Sequence, residues 1–453
     1  MKYYKFKGLL LSKGWVSPAY VGVDDAGLIK HLSEQPPAEV VAFETVNGYA
    51  LPGFQNAHSH AFQFAMAGMA EKHEPGSRDD FWSWREAMYK CALSLDPAQI
   101  EAVAAMLYAE MLRKGYTSVA EFHYLHHDPS GKPYANWAET GERLIAAAKT
   151  AGIKITLVPV FYQKGSFGEP PQPRQRRFIS ATLDDYLHLL DDSAAAVKND
   201  ENAKLGFGVH SLRAVNAEDV INTFKDGPTN IPFHLHAAEQ RKEVADCEAY
   251  LKKRPVQWLT ENLPLNERFH IVHCTHMNDE EVLALAKSGA QVVLCPGTEG
   301  NLGDGIFRLT DYARAGGNWS IGTDSHISLN PLEDLRWMDY AQRLTTHQRN
   351  TFDDGATKLM TKTLEGGRRA MTTSPTKDFF EINAPFDAAV FDAGNPFLER
   401  RLDYMLPSIL YACDASALLG TLVNGKWRVK NQIHLQQEGI RAPFREAMKN
   451  LSF

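Results

Sequence analysis

The sequence contains few cysteines, and none of their spacings is typical of a disulfide framework. Only five occur among 453 residues, their number is odd, and no CxxC is present. We therefore expect neither a network of disulfides nor a zinc site built from thiolates. Most of the five are expected to be small core residues of a cytoplasmic protein.

The chain also lacks long apolar runs and an excess of basic residues. No stretch approaches the roughly 18 apolar residues that span a bilayer, and the N-terminal LLL run is shorter than the roughly 7–15 apolar residues of a signal peptide. The 48 Lys and Arg against 55 Asp and Glu give a formal net charge of −7, whereas duplex binding requires a basic face. We expect a globular cytoplasmic protein with no membrane segment and no nucleic-acid partner.

Glycine-rich nucleotide fingerprints are absent, and the strand pattern indicates a barrel. Neither GxGxxG nor GxxxxGK[ST] occurs. Between about residue 50 and about residue 375, short apolar runs alternate with helical stretches, as expected for strands buried on both faces. Eight strand–helix units favour a TIM (β/α)8 barrel over a doubly wound sheet. The predicted strands lie in GYALPGFQNAHSH, TSVAEFHY, ITLVPVFY, KLGFGVHS, IPFHLHAA, HIVHCT, QVVLCPG and WSIGTDS.

The two chain ends have the pattern of a small β-domain. Both contain short strand signals and turns, and Asn424-Gly425 is a strong hairpin signal. We predict a β-sandwich-like domain formed by residues 1–52 together with residues 377–453, which end in a short helix at REAMKN. The barrel is predicted to occupy residues 53–376.

Three segments between strands are predicted to border the site. GTEGNLGDG (297–305) is interpreted as an active-site loop, with simple turn chemistry as the alternative. The stretch GEPPQPRQRRF (168–178) is predicted to be a loop after the third strand, and the aromatic cluster FWSW (81–84) is predicted to pack as a lid.

Histidines and one aspartate stand at the predicted strand ends, where barrels place functional residues. His58 and His60 are two apart on a strand, so both imidazoles point to the same side. Such a pair suits Zn²⁺ or is simply a pair of hydrogen-bonded core histidines. With His236, His273 and Asp324 at other strand ends, we favour a catalytic zinc site with one position open for water.

Three of the strand-end residues are candidates for proton transfer. Asp324 and His273 are predicted to move the proton of a metal-activated water, although Asp324 alone also suits a helix N-cap. Glu239, in HAAE, is predicted to reach the reacting group without binding the metal, with a helix N-terminal Glu as the alternative. His234 lies about 6–7 Å deeper than His236 and is predicted to be a core histidine.

A second set of residues suits an anionic substrate. Arg85 and Arg213 carry guanidinium groups that bind carboxylates bidentately, and ordinary surface ion pairs are the alternative. His210, Tyr124 and Gln63 add an imidazole, a hydroxyl and an amide near the same strand ends. We therefore predict a small substrate with one or more carboxylates.

The motifs HSH, HAAE, VHCTH and GTDSH, in this order, resemble the amidohydrolase superfamily. More specific strings between about residue 50 and residue 345 resemble formimidoylglutamate deiminases: HSHAFQFAMAGMAE, DDFWSWREAMY, GYTSVAEFHYLHHDPSGKPYA, QRRFI, HSLRAV, AEQRKEV, EGNLGDGIF and IGTDSHIS. This resemblance implies a zinc-dependent enzyme of histidine degradation. It would hydrolyse N-formimino-L-glutamate to N-formyl-L-glutamate and ammonia.

The resemblance also implies a role for each candidate residue. One zinc ion per subunit, or iron or another divalent metal in its place, would be bound by His58, His60, His236 and Asp324. His273 and Asp324 would handle the protons of the attacking water, and Glu239 would hold and protonate the formimino nitrogen. The glutamate part would be bound by Gln63, Tyr124, His210 and Arg213, with Arg85 reaching from the neighbouring subunit of a homodimer.

Two alternatives remain open from the sequence. A zinc deaminase of an aminated heterocycle such as guanine or cytosine would share the metal ligands but would have less need of paired arginines. A barrel that only binds ligands would be expected to lack at least one ligand or proton-transfer residue, and none is missing here. The chain differs from many of the relatives it resembles at Phe64, where Arg is expected, and at Gly297 and Gly300, where Thr and Ala are common.

Overall fold

The computed structural model describes residues 1–38, 40, 42–71, 81–352, 354–449 and 451. The strands are β1 (Lys2–Leu11), β2 (Gly14–Val16), β3 (Ala19–Val23), β4 (Ile29–Ser33), β5 (Glu44–Pro52), β6 (Phe54–Ser59), β7 (Tyr116–His123), β8 (Lys154–Phe161), β9 (Ala203–Leu205), β10 (Phe207–Ser211), β11 (Phe233–Ala237), β12 (Phe269–His273), β13 (Gln291–Leu294), β14 (Asn318–Ile321), β15 (Ala388–Asp392), β16 (Leu418–Val423), β17 (Lys426–Lys430) and β18 (Ile433–His434).

The α-helices are α1 (Phe81–Ser94), α2 (Pro97–Arg113), α3 (Glu139–Ala151), α4 (Leu183–Val197), α5 (Ala217–Asp226), α6 (Arg241–Leu251), α7 (Pro255–Asn262), α8 (Asp279–Ser288), α9 (Pro296–Leu302), α10 (Leu309–Arg314), α11 (Pro331–Thr346), α12 (Ala356–Met371), α13 (Met405–Ala412) and α14 (Gln437–Lys449). Short 3₁₀ helices occupy Ala61–Met66, Pro173–Gln175, Pro396–Leu398, Leu402–Tyr404 and Ala415–Ala417. Within the described residues, no helix combines the length and the apolar character that a membrane span requires.

Eight parallel strands form the barrel, in the order β6-β7-β8-β10-β11-β12-β13-β14, with β9 paired to β8. The ring closes where the amides of Thr323 and Asp324 each donate to the carbonyl oxygen of His58 at 3.0 Å. The predicted TIM barrel is confirmed, and each predicted strand segment contains a barrel strand.

The first predicted strand, GYALPGFQNAHSH, is divided between two sheets. Its first part belongs to β5 and its second part is β6, with Gly53 between them. A Cβ at Gly53 would lie 2.1 Å from Cγ2 of Thr117. Only glycine therefore allows the chain to pass this close to β7 as it enters the barrel.

Both chain ends pair in a second, mixed sheet of nine strands, in the order β18-β17-β16-β15-β5-β1-β3-β4 with β2 on β1. The predicted hairpin is present: Asn424 and Gly425 have φ values of 50° and 64° between β16 and β17, as a type I′ turn requires. The terminal helix predicted for REAMKN is the longer α14, and Asn450 lies outside the described residues. The domain boundaries at residues 52/53 and 376/377 stay a prediction.

Most of the segment GTEGNLGDG is helical rather than the predicted loop: residues 297–302 belong to α9, and only residues 303–305 lie outside it. Pro296 occupies the first turn of α9, and Gly303 ends the helix in the left-handed conformation with φ 68°. This arrangement is the usual one for a short helix, because proline suits the first turn and glycine the residue after the last. The prediction failed because the glycines within the segment were interpreted as turn signals.

Arg177, in the predicted loop 168–178, is completely buried. Its guanidinium donates to the carbonyl oxygens of Ala92, Leu95 and His127, the last two at 2.7 Å and 2.8 Å. These carbonyls belong to the end of α1, the residue after it and the segment after β7. The Arg177 side chain therefore connects its own loop to the end of α1 and to the segment after β7.

We expect Arg177→Met to lower the free energy of unfolding by about 3 kcal/mol, because it leaves buried carbonyl oxygens without donors. Arg176→Met is the matched control, since that guanidinium makes exposed hydrogen bonds and its loss should cost less than about 0.5 kcal/mol. Urea denaturation followed by tryptophan fluorescence measures both. Equal, small losses would contradict this function of Arg177.

Candidate active site

Four predicted metal ligands converge at the carboxyl end of the barrel. The Nε2 atom of His58 lies 3.0 Å from Nε2 of His60 and 3.0 Å from Nε2 of His236. Oδ1 of Asp324 lies 3.3 Å from Nε2 of His60 and 3.7 Å from Nε2 of His58. All four residues are buried. Strands β6, β11 and β14 therefore bring their ends to one point.

The tautomers of these histidines fit a cation. Nδ1 of His60 lies 3.0 Å from the carbonyl oxygen of Phe122, and Nδ1 of His236 lies 2.9 Å from that of His210. A carbonyl oxygen only accepts, so each Nδ1 carries the hydrogen and each Nε2 presents a lone pair. Nε2 of His58 faces both lone pairs and could donate to only one of them.

Burial keeps these imidazoles neutral. It lowers the pKa of His60 to about 3 and lowers those of His58 and His236 well below the usual range. Neutral imidazole nitrogens with a nearby carboxylate are a donor set that divalent zinc or iron accepts. The four residues therefore fit a divalent metal ion.

A group of carboxylates surrounds the buried His273. Its Nε2 lies 3.6 Å from Oε1 of Glu239 and 3.7 Å from Oδ2 of Asp324, and its Nδ1 lies 3.2 Å from Oε1 of Glu299. Burial alone would lower the pKa of His273, but these carboxylates raise it to about 10. Burial raises the pKa of Asp324 to about 7. The cluster is thus able to hold and pass a proton.

Several residues at the ends of the barrel strands have unusual backbone conformations. Ala238, His273 and Asp324 have φ values of 53°, 70° and 48°. Non-glycine residues rarely adopt this left-handed region, and such strain concentrates at functional sites. Each of these residues ends or follows a barrel strand, so the strained turn directs the following side chains into the mouth of the barrel.

Arg213 lines the same cavity as the candidate metal ligands and lies among acidic groups. Its Nη2 is 3.7 Å from Oε2 of Glu239 and its Nη1 is 3.7 Å from Oε2 of Glu243. Its Nε and Nη1 atoms are buried with no hydrogen-bond partner among the described residues. Burial and the neighbouring Arg213 lower the pKa of His210 well below its usual range, so His210 contributes a neutral imidazole.

One cavity contains all five predicted substrate-binding residues. Its lining includes Gln63, Arg85, Tyr124, His210, Arg213, Glu239, His60, His236 and Asp324. Gln63 donates from Nε2 to the hydroxyl of Tyr124 at 3.0 Å. Arg85 lines the cavity of its own chain. Its presence there does not require a neighbouring subunit, which the resemblance had implied.

Aromatic residues form the outer part of the same cavity. Phe81 and Trp84, from the predicted lid, line it, while the side chain of Trp82 lies outside the described part of the chain. Phe64 instead packs against Phe444 of α14, with ring centroids 5.8 Å apart. Its difference from the relatives therefore does not change the cavity lining.

His234 lies below the metal ligands, inside the barrel. Its ring stacks on that of His270 at a centroid distance of 4.7 Å, and burial lowers its pKa to about 3. It is absent from the metal cluster and from the cavity lining. This placement agrees with the core histidine that the sequence predicts.

Two site residues were missed from the sequence. Glu299 of α9 contacts His273, and its position within GTEGNLGDG was a signal that could have identified it. Glu243 accepts hydrogen bonds from the amides of Ala238 and Glu239 at 3.2 Å and 3.0 Å. It holds the turn that carries Glu239, and no sequence signal distinguishes it from an ordinary helical glutamate.

We expect His236→Ala to lose most of the divalent metal that the wild-type protein binds, because one of three converging imidazoles is removed. His234→Ala is the matched control: it deletes a buried imidazole two residues away on the same strand and should retain the metal. Plasma emission spectrometry after dialysis measures the metal content of each protein. Equal metal loss in both variants would show that His236 is not a ligand.

Comparisons with known proteins identify the family. The amidohydrolase family model matches residues 49–428. Formimidoylglutamate deiminase of Pseudomonas aeruginosa is 41% identical over 450 residues, covering 98% of each chain, and 8-oxoguanine deaminase of the same organism is 24% identical over 90% of this chain and 88% of that one.

Solved structures show the same fold, and the match covers the whole chain or nearly all of it. An amidohydrolase from Brucella melitensis has a TM-score of 0.92 at 37% identity, covering 100% of both chains. An adenosine deaminase from Xanthomonas campestris with bound zinc shares the fold, with a TM-score of 0.79 at 20% identity over 99% of this chain and 98% of that one. The resemblance seen in the sequence is confirmed, and the chain belongs to the amidohydrolase family.

Proposed function

We propose that this protein hydrolyses N-formimino-L-glutamate to N-formyl-L-glutamate and ammonia, in the cytoplasm and as a step of histidine degradation. The observation that carries the proposal is one cavity that is lined by candidate metal ligands, by the acidic Glu239 and by two arginines. The relative that is 41% identical over 98% of the chain carries the name of this activity.

One zinc ion per chain, bound by the imidazoles of His58, His60 and His236 and by Asp324, would supply a water whose pKa is lowered to about 7. Asp324 accepts the proton of the attacking water, and His273, 3.7 Å away, stabilises the charge that develops. Asp324 thus acts as both ligand and general base.

The formimino group is an amidine, which is cationic near neutral pH. Glu239 pairs with its nitrogen as a carboxylate, takes up the second proton that the adding water gives up, and delivers this proton to the nitrogen. The water oxygen forms a bond to the amidine carbon, the carbon–nitrogen bond breaks, and ammonia leaves. Glu243 holds the backbone amide of Glu239 at 3.0 Å, which positions this carboxylate.

The carboxylates of the glutamate part are suited to bind the two arginines that line the cavity. Arg213 has two buried nitrogen atoms that make no hydrogen bond within the described part of the chain, and leaving such donors unsatisfied is costly unless a ligand accepts from them. Arg85, Gln63, Tyr124 and His210 line the same cavity. Binding energy from the carboxylates then orients the amidine against the attacking water.

A deaminase of an aminated heterocycle remains the alternative, because 8-oxoguanine deaminase is among the relatives. Paired arginines distinguish the two proposals, since neutral guanine or cytosine has no carboxylate to accept from them. A barrel that only binds ligands is disfavoured, because every predicted ligand and proton-transfer residue lies at the same barrel mouth.

We expect the zinc-loaded protein to release ammonia from N-formimino-L-glutamate and not from guanine or cytosine. Asp324→Asn should lower kcat by about 10²–10⁴-fold, the usual contribution of a general base. Arg213→Met should lower kcat/KM by about 10²-fold, because it removes a buried charge that pairs with substrate. A coupled assay for ammonia measures these rates.

Turnover of a heterocycle that is unaffected by Arg213→Met would favour the alternative. No release from any of the three substrates by the zinc-loaded protein would overturn both proposals. His234→Ala serves here as the control for a buried substitution that spares the cavity lining.

We further propose a homodimer. Ile306, Trp337 and Leu344 line one groove beside α11 and are 50%, 53% and 74% exposed. Exposed apolar groups gathered in this way are typical of an interface between proteins. A second copy of this chain is the occupant that the resemblance implies.

Light scattering coupled to size-exclusion chromatography should give twice the mass of one chain. Leu344→Glu with Trp337→Glu should halve that mass, because two charges would be buried at the interface. Ile382→Glu, which changes an apolar side chain that is 52% exposed elsewhere, is the control. A wild-type protein with the mass of one chain would disprove the dimer.

A further inference from the structure

Two tyrosine hydroxyls in the cavity wall share one hydrogen-bond donor. Tyr89 of α1 and Tyr162, just after β8, both line the cavity. The Nε2 atom of Gln175 lies 3.0 Å from each hydroxyl oxygen. Gln175 has no exposed surface. It belongs to the QRRFI string, which also contains the buried Arg177, and it makes no contact described so far.

The orientation of the Gln175 amide is fixed by its other end. Its Oε1 accepts from the backbone N–H of Gln172 at 2.8 Å. Because that N–H only donates, the oxygen of the amide must face it and the NH₂ group must face the tyrosines. Both hydrogens of the NH₂ group are therefore donated to hydroxyl oxygens.

Each tyrosine hydroxyl accordingly accepts from Gln175 and retains its own hydrogen to donate. No acceptor for either hydrogen occurs among the described residues around Tyr89 and Tyr162. The two hydroxyls lie within about 6 Å of each other, since both are at hydrogen-bond distance from one nitrogen. They are two neighbouring donors without acceptors in the wall of a binding cavity.

Two guanidinium groups lie near the Tyr89 ring, and one of them, that of Arg174, is paired with Glu86. The guanidinium carbons of Arg85 and Arg174 lie 5.2 Å and 5.1 Å from the ring centre of Tyr89. The ring of Tyr162 lies 4.6 Å from that of the neutral His210. Burial raises the pKa of the Tyr89 hydroxyl, so it stays protonated and able to donate near neutral pH.

We propose that Tyr89 and Tyr162 donate together to one carboxylate of the substrate and so select an ionised carboxylate over a carboxamide. Gln175 is the positioning residue that turns both hydroxyls toward the ligand. A carboxylate accepts at both oxygens, whereas the NH₂ group of a carboxamide would face a donor and leave it unpaired. The inference rests on the proposed function for the identity of the substrate.

The test compares N-formimino-L-glutamate with its two monoamides, one amidated at each carboxylate. Tyr89→Phe/Tyr162→Phe should raise KM at least about 30-fold for the diacid, because two charge-assisted hydrogen bonds are lost. The double variant should raise KM by a similar factor for the monoamide that keeps the recognised carboxylate. For both substrates its kcat should stay within about 3-fold of the wild-type value. The other monoamide, already a poor substrate, should be unaffected.

Tyr186→Phe is the matched control. Its hydroxyl is also buried, but it bonds the backbone of Pro159 and Gly208 and does not line the cavity. It should leave the ratio of acid to amide turnover unchanged. An equal loss with all three substrates in the double variant would indicate general damage to packing and would overturn the inference.

Gln175→Glu tests the positioning role. A carboxylate at this place only accepts, so both hydroxyls would donate to it and turn away from the substrate. In Gln175→Glu, the selectivity for the acid over the amide should fall as far as in the double tyrosine variant. Gln175→Met leaves both hydroxyl donors available and should retain more of this selectivity. Wild-type selectivity in Gln175→Glu would disprove the role of Gln175.

A binding measurement separates this inference from the proposed function. Titration calorimetry of glutarate and of its diamide, glutaramide, which has no carboxylate, needs no turnover. Weaker glutarate binding in the double variant, with any glutaramide binding unchanged, would support the inference even if the wild-type protein released no ammonia. Ammonia release without any dependence of glutarate binding on the tyrosines would leave the proposed function standing and remove the inference.

Discussion

His58 joins the fold and the candidate site in one residue. Its carbonyl oxygen accepts the two amide hydrogen bonds that close the barrel between β14 and β6. Its imidazole lies at the centre of the metal-ligand cluster, 3.0 Å from two other imidazoles. The ring can reach that position only if the barrel is closed, so metal binding and closure are expected to stabilise each other.

Charge organises the rest of the cavity. Glu239, Glu299 and Asp324 gather around His273 at one end, where the imidazole offsets part of the cost of burying the three carboxylates. Arg213 stands between this acidic end and the donor-rich wall that carries Tyr89. A substrate with a cationic amidine and anionic carboxylates matches both ends at once, which gives it a single orientation in the cavity.

The sequence predicted the barrel and its metal ligands because both depend on local rules. Strands repeat every two residues, so His58 and His60 had to share a face, and parallel strands end at a common edge. Prediction failed at GTEGNLGDG, since glycines that indicate turns also occur in the short helix α9. It also missed Glu243, which acts by holding a backbone turn rather than by touching the cavity.

The sequence by itself therefore determined the architecture and the family, and it supplied the candidate metal ligands and the chemistry that we propose. Only the tertiary structure decided that Tyr89, Tyr162 and Gln175 meet. They come from a helix, a strand end and a 3₁₀ turn up to 86 positions apart, and a buried arginine in the same segment ties that turn to α1. No periodicity relates residues so distant along the chain, because their contact arises from packing across the barrel rim.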